Sequence, residues 1–155
     1  MKTKRILISI LCVVTIICCL TGCSPKTAQT VSGFTEFMEA AGFEVQNVTA
    51  NTETNGLTTA VLIAACENYQ IEFSVLKDSE TGEFVFTMAK NLFDEEYSVK
   101  TMSLKVEIGD YNYYSFTADG NFHMITRIEN TMIWCVADKA YKEEIVDCIK
   151  ALGYR

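Results

Sequence analysis

Histidine is almost absent from this sequence, and so are the short motifs that usually mark catalysis. His123, in the segment NFHMITR, is the single histidine among 155 residues. One imidazole cannot build a metal site that needs several, and no G-x-S-x-G elbow accompanies it to place a nucleophilic serine. The eight glycines are scattered through turns and helix ends, so they indicate no phosphate-binding loop. The sequence therefore predicts no catalytic residues, no metal site and no cofactor.

Basic residues are also scarce. The chain has 13 Lys and Arg against 20 Asp and Glu, which gives a formal net charge of −7 at pH 7. Three of the basic residues lie in the first five positions, so the remainder is more acidic still. Nucleic-acid binding depends on Lys and Arg that neutralise phosphates, and we therefore expect no nucleic-acid partner. The acidic run FDEEY lacks EF-hand spacing and is typical of a solvated helix end.

Long apolar runs are limited to the N-terminus, where MKTKR precedes fifteen uncharged residues at positions 6–20. A membrane-spanning helix needs about 20 apolar residues, so this run is short for that role. A basic start, a short apolar stretch and small residues after it are typical of a secretory signal. An uncleaved anchor helix is the alternative.

The end of this run resembles the lipobox of bacterial lipoproteins, because it reads Leu20, Thr21, Gly22 and Cys23. In a lipobox, the cysteine thiol is the nucleophile that takes the diacylglyceryl group, and small residues before it give the signal peptidase access to the backbone. We therefore predict a signal peptide over residues 1–22 and a lipidated Cys23 that anchors the protein on the extracytoplasmic face of the cell membrane. Residues 23–31 are predicted to carry the lipid and form a short polar tether, and residues 32–155 to form one α+β domain.

An odd number of cysteines remains once the predicted leader is removed and Cys23 carries lipid. The three that remain are Cys66, Cys135 and Cys148. At least one of them must lack an intramolecular partner, and no C-x-x-C pair occurs among them. Each lies in an apolar stretch, where a free cysteine behaves as a small hydrophobic residue. We expect three core thiols, with a single disulfide as the alternative.

Hydrophobic periodicity predicts helices at both ends of the domain and strands between them. VSGFTEFMEAAGF and KAYKEEIVDCIKALGYR have apolar residues at helical spacing, and Gly42 and Gly153 are placed to end the helices. TTAVLIAAC and YQIEFSVLK predict a hairpin. TMSLKVEI, YNYYSFTA, NFHMITRI and TMIWCVA predict a four-stranded meander.

Residues 79–90 fit a helix or a strand, and their length and the sequence AKNL favour a helix. The predicted fold is then α+β: an antiparallel sheet, made of a hairpin and a four-stranded meander, with N-terminal, central and C-terminal helices packed mainly on one face. A cystatin-like sheet wrapped around a single helix is the alternative.

Two short motifs later in the chain, added to the lipobox, support a resemblance to a protein family. An Arg-x-x-Asn-Thr turn precedes an apolar strand at Arg127, Asn130 and Thr131, and the closing helix ends in Leu152, Gly153 and Tyr154. Together with the lipobox, these features resemble a group of small uncharacterised lipoproteins of Gram-positive bacteria. The resemblance covers most of the mature chain and implies an extracytoplasmic location and a fold. It implies no activity.

The function we expect is that of a non-catalytic module that binds a protein, a peptide or an envelope polymer near the membrane. A carrier with an apolar cavity is the first alternative. A hydrolase that pairs His123 with a nucleophile is the second.

A docking face is predicted from the way side chains alternate between the two faces of neighbouring strands. If residues 118–120 form a three-residue hairpin loop with Gly120 in the left-handed region, Tyr114 and Phe116 share the core side with Phe122, Met124 and Ile128. Tyr113, His123 and Arg127 would then lie together on an accessible face. Tyr and Arg are favoured at binding hot spots, and Arg127 would hold a carboxylate by two contacts.

Overall fold

The computed structural model describes residues 26–52 and 56–155, and the predicted signal peptide, the lipobox and Cys23 lie outside these residues. The described residues contain three helices: α1 is Val31–Ala40, α2 is Ser79–Glu96 and α3 is Lys142–Ala151. The strands are β1 Glu44–Asn47, β2 Thr58–Ala65, β3 Gln70–Leu76, β4 Thr101–Ile108, β5 Tyr111–Ala118, β6 Asn121–Ile128 and β7 Thr131–Asp138. Short 3-10 turns are found at Thr49–Asn51 and Lys139–Tyr141.

The described strands form one seven-stranded sheet in the order β1-β2-β3-β7-β6-β5-β4, and every neighbouring pair is antiparallel. β2 and β3 form the predicted hairpin, and β4 to β7 form the predicted meander. The hairpin joins the meander where β3 pairs with β7. β4 is therefore the edge strand at one side of the sheet, and the short β1 is the edge strand at the other.

The ends of the helices follow from local sequence. The Thr30 side chain accepts a hydrogen bond from the Gly33 amide and caps α1, and the Asp78 carboxylate accepts one from the Thr81 amide and caps α2. The predicted stops after α1 and α3 are confirmed, since Gly42 and Gly153 have φ of 90° and 96°. Glycine adopts this left-handed conformation without the steric penalty of a side chain.

The helices cover both faces of the sheet. α1 and α3 pack on one face, here the α1/α3 face, around buried residues that include Phe34, Phe73 and Ile149. α2 packs on the other face, the α2 face, through Phe86, Ala89 and Phe93. The predicted α+β class, the three helices and the helical state of residues 79–90 are confirmed, and two of the three helices share one face. β1 was not predicted.

Candidate functional site

The predicted docking face is wrong. Tyr113, His123 and Arg127 are 1%, 2% and 1% exposed, so none of them is available to a partner. They also lie on different sides of the sheet. Tyr113 belongs to the cluster on the α1/α3 face, whereas His123 pairs with Phe116, which lies under α2.

The length of one turn explains the error. β5 ends at Ala118 and β6 begins at Asn121, so the loop contains two residues and not three. Both loop residues have positive φ, 50° at Asp119 and 83° at Gly120, as a type I′ hairpin requires. An even loop keeps Phe116 directly opposite His123, which moves the β6 side chains to the face opposite to the predicted one.

Arg127 is a buried structural clamp. Its Nε donates to Asn112 Oδ1 at 2.6 Å, and its NH1 donates to the Glu129 carbonyl at 2.7 Å and to Ser79 Oγ at 3.1 Å. The guanidinium thus joins β5, the β6–β7 turn and the first residue of α2. All of these contacts are internal and the side chain is buried, so Arg127 is not available to a carboxylate of a partner.

The other residues that carry the family resemblance also have internal partners. Asn130 Nδ2 donates to the Leu76 carbonyl at 3.0 Å, and Thr131 Oγ1 is hydrogen-bonded to the Tyr154 hydroxyl. The Tyr154 hydroxyl accepts from the Gln29 amide at 3.1 Å, and the Leu152 carbonyl accepts from Gln29 Nε2 at 3.1 Å. These residues fasten the two ends of the described chain to the β6–β7 turn.

His123 is enclosed by aromatic rings. Its ring stacks on Phe116 with centroids 4.7 Å apart, and the centroids of Phe93 and Tyr97 lie 5.4 and 4.6 Å away. Neither ring nitrogen has a hydrogen-bond partner within the described part of the chain. His123 therefore does not form the nucleophile–base pair that the hydrolase alternative requires.

The surface of α2 that faces solvent carries three apolar side chains in a row. Phe84, Met88 and Leu92 are 61%, 45% and 54% exposed and follow one another at intervals of four residues. With Thr87, Asn91 and Glu95 they line a surface hollow of about 330 Å³. We call Phe84, Met88 and Leu92 the outer α2 stripe. A contiguous exposed apolar stripe indicates an interaction surface more strongly than scattered exposed apolar residues do.

The surroundings of the outer α2 stripe are acidic. Glu80, Glu83 and Glu95 are exposed on the same helix, and Lys90 is its only basic residue. Lys90 donates to Asp94 Oδ2 at 2.6 Å, and Asp94 also accepts from Tyr114 and Lys100. Burial raises the pKa of Asp94, but these hydrogen bonds outweigh it and hold that pKa well below its usual value. The single cation of α2 is thus bound to an anion.

A second apolar surface lies at the edge strand β4. Leu104, Val106 and Ile108 pair with β5 residues of the α1/α3 face, but this end of that face is open to solvent. Ile108 is 70% exposed, and Met102, at the irregularity near the start of β4, is 74% exposed. We call Met102, Leu104, Val106 and Ile108 the β4 apolar edge.

A hollow of about 540 Å³ adjoins the β4 apolar edge. It is lined by Thr101, Met102, Thr117, Lys139, Ala140, Lys142 and Glu143. Most of these side chains are polar or charged, whereas the carrier alternative needs a large apolar cavity.

The N-terminal end of the described chain lies against its C-terminal end. Lys26 Nζ donates to the carbonyls of Gly153 and Arg155 at 3.0 and 2.9 Å, and it lies 4.7 Å from the centroid of the Tyr111 ring. Gln29 is bound to Leu152 and Tyr154, as described above. Of residues 23–31, which were predicted to carry the lipid and form the tether, residues 26–30 therefore contact the folded domain and Val31 begins α1.

The described ranges hold neither a metal-binding cluster nor a membrane-spanning helix. Residues 26–52 and 56–155 contain no group of three or more His, Cys, Asp or Glu side chains that could hold a metal ion. None of the helices in these ranges combines the length and the apolar character that a membrane crossing requires.

Comparisons with family models, with curated proteins and with solved structures return no match for this chain.

Proposed function

We propose that this protein is a lipoprotein anchored by Cys23 to the extracytoplasmic face of the cell membrane, and that its domain binds another protein. The LTGC sequence at residues 20–23 supports the anchor. The outer α2 stripe supports the binding role and is the observation that carries it. Burying apolar surface contributes roughly 25 cal/mol per Å², so a helix that exposes Phe84, Met88 and Leu92 gains from a partner that covers them.

The acidic surroundings of the stripe indicate the charge of the partner. Glu80, Glu83 and Glu95 border the apolar residues, and Lys90 is bound to Asp94. A partner segment with apolar side chains flanked by Lys or Arg would satisfy both features. A second copy fits less well, because two α2 helices packed antiparallel would bring Glu80 and Glu83 of one beside Glu95 of the other.

The anchor is tested by two cysteine variants grown with a tagged fatty acid. Cys23→Ala should lose the label, because no thiol remains at the lipobox position. Cys19→Ala is the matched control, since it removes a cysteine four residues earlier and leaves LTGC intact. Label that persists on Cys23→Ala would show that the anchor has been misassigned.

The binding role is tested with a synthetic amphipathic helix of leucine and lysine, and with the same peptide in which every lysine is glutamate. The lysine peptide should bind more tightly, and added salt should weaken it because screening reduces the attraction. The variant Phe84→Asn, Met88→Gln, Leu92→Gln should lose at least about tenfold in affinity.

Ile108→Gln is the matched control for the stripe variant, because it removes an apolar residue of similar exposure from β4. It should bind the lysine peptide as the wild-type protein does. Equal affinity of the stripe variant and the wild type would exclude the outer α2 stripe as the binding surface.

A further inference from the structure

The point at which the chain enters the domain lies beside the β4 apolar edge. Lys26 Nζ lies 4.7 Å from the centroid of the Tyr111 ring, and Tyr111 pairs directly with Ile108 of β4. Two carbonyl contacts with Gly153 and Arg155 hold Lys26 in this position. We infer that the β4 apolar edge rests on the lipid surface when the protein is anchored, so that the outer α2 stripe points away from the bilayer. This inference rests on the proposed lipid anchor at Cys23 and adds the orientation of the domain.

The distance from the anchor to the domain is short. Lys26 is the third residue after Cys23, and three steps of about 3.4 Å span at most about 10 Å. β4 alone has eight residues and is about 27 Å long. The domain therefore cannot turn freely above the membrane, and the surface next to Lys26 must stay close to the headgroups.

Among the surfaces near Lys26, two that could meet the bilayer differ in their chemistry. One is the end of the sheet, where the turns carry Asp110 and Glu129, and acidic groups are repelled by anionic lipid headgroups. The other is the β4 apolar edge, which presents Ile108 and Met102 to solvent. An apolar surface that lies in the membrane interface gains from burial, so the second resting position is favoured.

The charges around the β4 apolar edge agree with this position. Lys26 and Arg155 lie near its Ile108 end, over the rings of Tyr111 and Tyr113, respectively. At the other end, Lys142 Nζ lies 3.2 Å from Met102 Sδ. Cations around an apolar surface are typical of proteins that bind anionic membranes, although the domain as a whole is acidic.

The nearby carboxylates mostly face away from this edge. Glu107 lies on the α2 face of β4 and is paired with Lys105 at 2.9 Å, and Asp110 accepts a hydrogen bond from Ser79 at the start of α2. Glu143 is the single acidic residue in the hollow next to Met102. Because α2 covers the opposite face of the sheet, contact of the β4 apolar edge with lipid would turn the outer α2 stripe towards the exterior.

Quenching by brominated lipids tests the orientation. The lipidated protein is purified from membranes and placed in vesicles of phosphatidylcholine and phosphatidylglycerol with bromine on the acyl chains. Trp134, the single native tryptophan, is replaced by Phe. A new tryptophan is placed in separate variants at Ile108, at Met102 or, as the matched control on the other face, at Phe84. All three positions are exposed, so a larger ring does not need space in the core.

We expect the fluorescence of Ile108→Trp and Met102→Trp to be quenched and shifted to the blue, and that of Phe84→Trp to be unaffected. Equal quenching at the three positions, or quenching at Phe84→Trp alone, would overturn the orientation. The mass of the mature protein and its sedimentation with vesicles report the anchor separately. A lipidated, vesicle-bound protein without quenching at Ile108→Trp would refute this inference and leave the anchor standing, whereas a mature protein without lipid would refute both.

Discussion

Gly82 packs so closely on Glu129 that a methyl group added to the glycine would lie 2.7 Å from the Glu129 carbonyl oxygen. The same methyl group would lie 3.4 Å from Cδ of Arg127. Gly82 is in the first turns of α2, and Glu129 is in the turn between β6 and β7. The absence of a side chain at this position therefore lets the helix approach the sheet where Arg127 binds Ser79 and Glu129.

Gly82→Ala should destabilise the protein despite the higher helix propensity of alanine. Overpacking against a backbone atom lowers the stability by about 1–3 kcal/mol, whereas the higher helix propensity of alanine contributes about 1 kcal/mol at most. Gly33→Ala in α1 is the comparison, because the added methyl group would meet side-chain atoms of Gln29 and Thr30 at 2.7 and 3.2 Å and no backbone atom. Urea unfolding should give the lower midpoint for Gly82→Ala, and equal midpoints for both variants would contradict the packing argument.

Arg127→Met should remove about 3 kcal/mol of stability, because it leaves the Asn112 side chain and the Glu129 carbonyl without their donors in a buried site. Arg127→Lys should recover only part of this loss, since an ammonium group cannot reproduce the planar fork. Asp110→Asn is the control, because Asp110 is exposed and its oxygen lies 3.7 Å from NH1 of Arg127. Thermal unfolding measures all three variants, and a stable Arg127→Met protein would argue against the clamp.

The sequence predicted the elements of the fold well, because their periodic apolar residues coincide with buried positions. The hairpin, the meander and the helix over residues 79–90 all follow this rule. β1 escaped prediction because its four residues, EVQN, are too few to establish a period. Pairing with β2 and not local pattern makes this segment a strand.

The candidate site was predicted wrongly, because the prediction required a three-residue loop between β5 and β6 and the structure has a two-residue loop. Asp119-Gly120 is a dipeptide that favours a two-residue type I′ turn, and this signal was available in the sequence. The burial of Arg127 was harder to foresee. Charged residues are usually exposed, and the partners of Arg127 come from segments as far apart in the chain as Ser79 and Asn112.

The three cysteines of the domain, Cys66, Cys135 and Cys148, are free thiols, as predicted, but only Cys135 is fully buried in the core. Burial raises the pKa of Cys135 to about 12 and that of Cys148 to about 11. Because the thiolate is the reactive form, both should react slowly with Ellman's reagent in the native protein near neutral pH.

In urea without reductant, the mature lipoprotein should titrate three thiols, since the sulfur of Cys23 is held in a thioether. Cys135→Ala should lower the number to two. A single reactive thiol would reveal a disulfide between the other two cysteines.

His123 should make the stability of the protein depend on pH. Its enclosure by aromatic rings lowers its pKa below the ordinary value of 6.5, because burial disfavours the charged ring, while the nearby backbone of Ala118 and the carboxylates of Glu96 and Asp119 act in the opposite direction. Lys100 also lies in this region, 5.1 Å from the centroid of Phe116. Because His123 is the only histidine, its ring resonance can be followed by NMR without assignment, and it should titrate below pH 6.5.

The direction of the stability change follows from proton uptake. As pH falls below 6.5, the unfolded chain binds a proton that the folded chain still excludes, so the free energy of unfolding decreases until the folded pKa is reached. His123→Phe should flatten this slope between about pH 5 and 6.5, the range in which an unperturbed histidine titrates. Glu96→Gln and Asp119→Asn should instead steepen it, because they remove carboxylates that favour the protonated ring. Urea unfolding of the four proteins across this range makes the measurement, and a wild-type slope retained by His123→Phe would place the proton on another group.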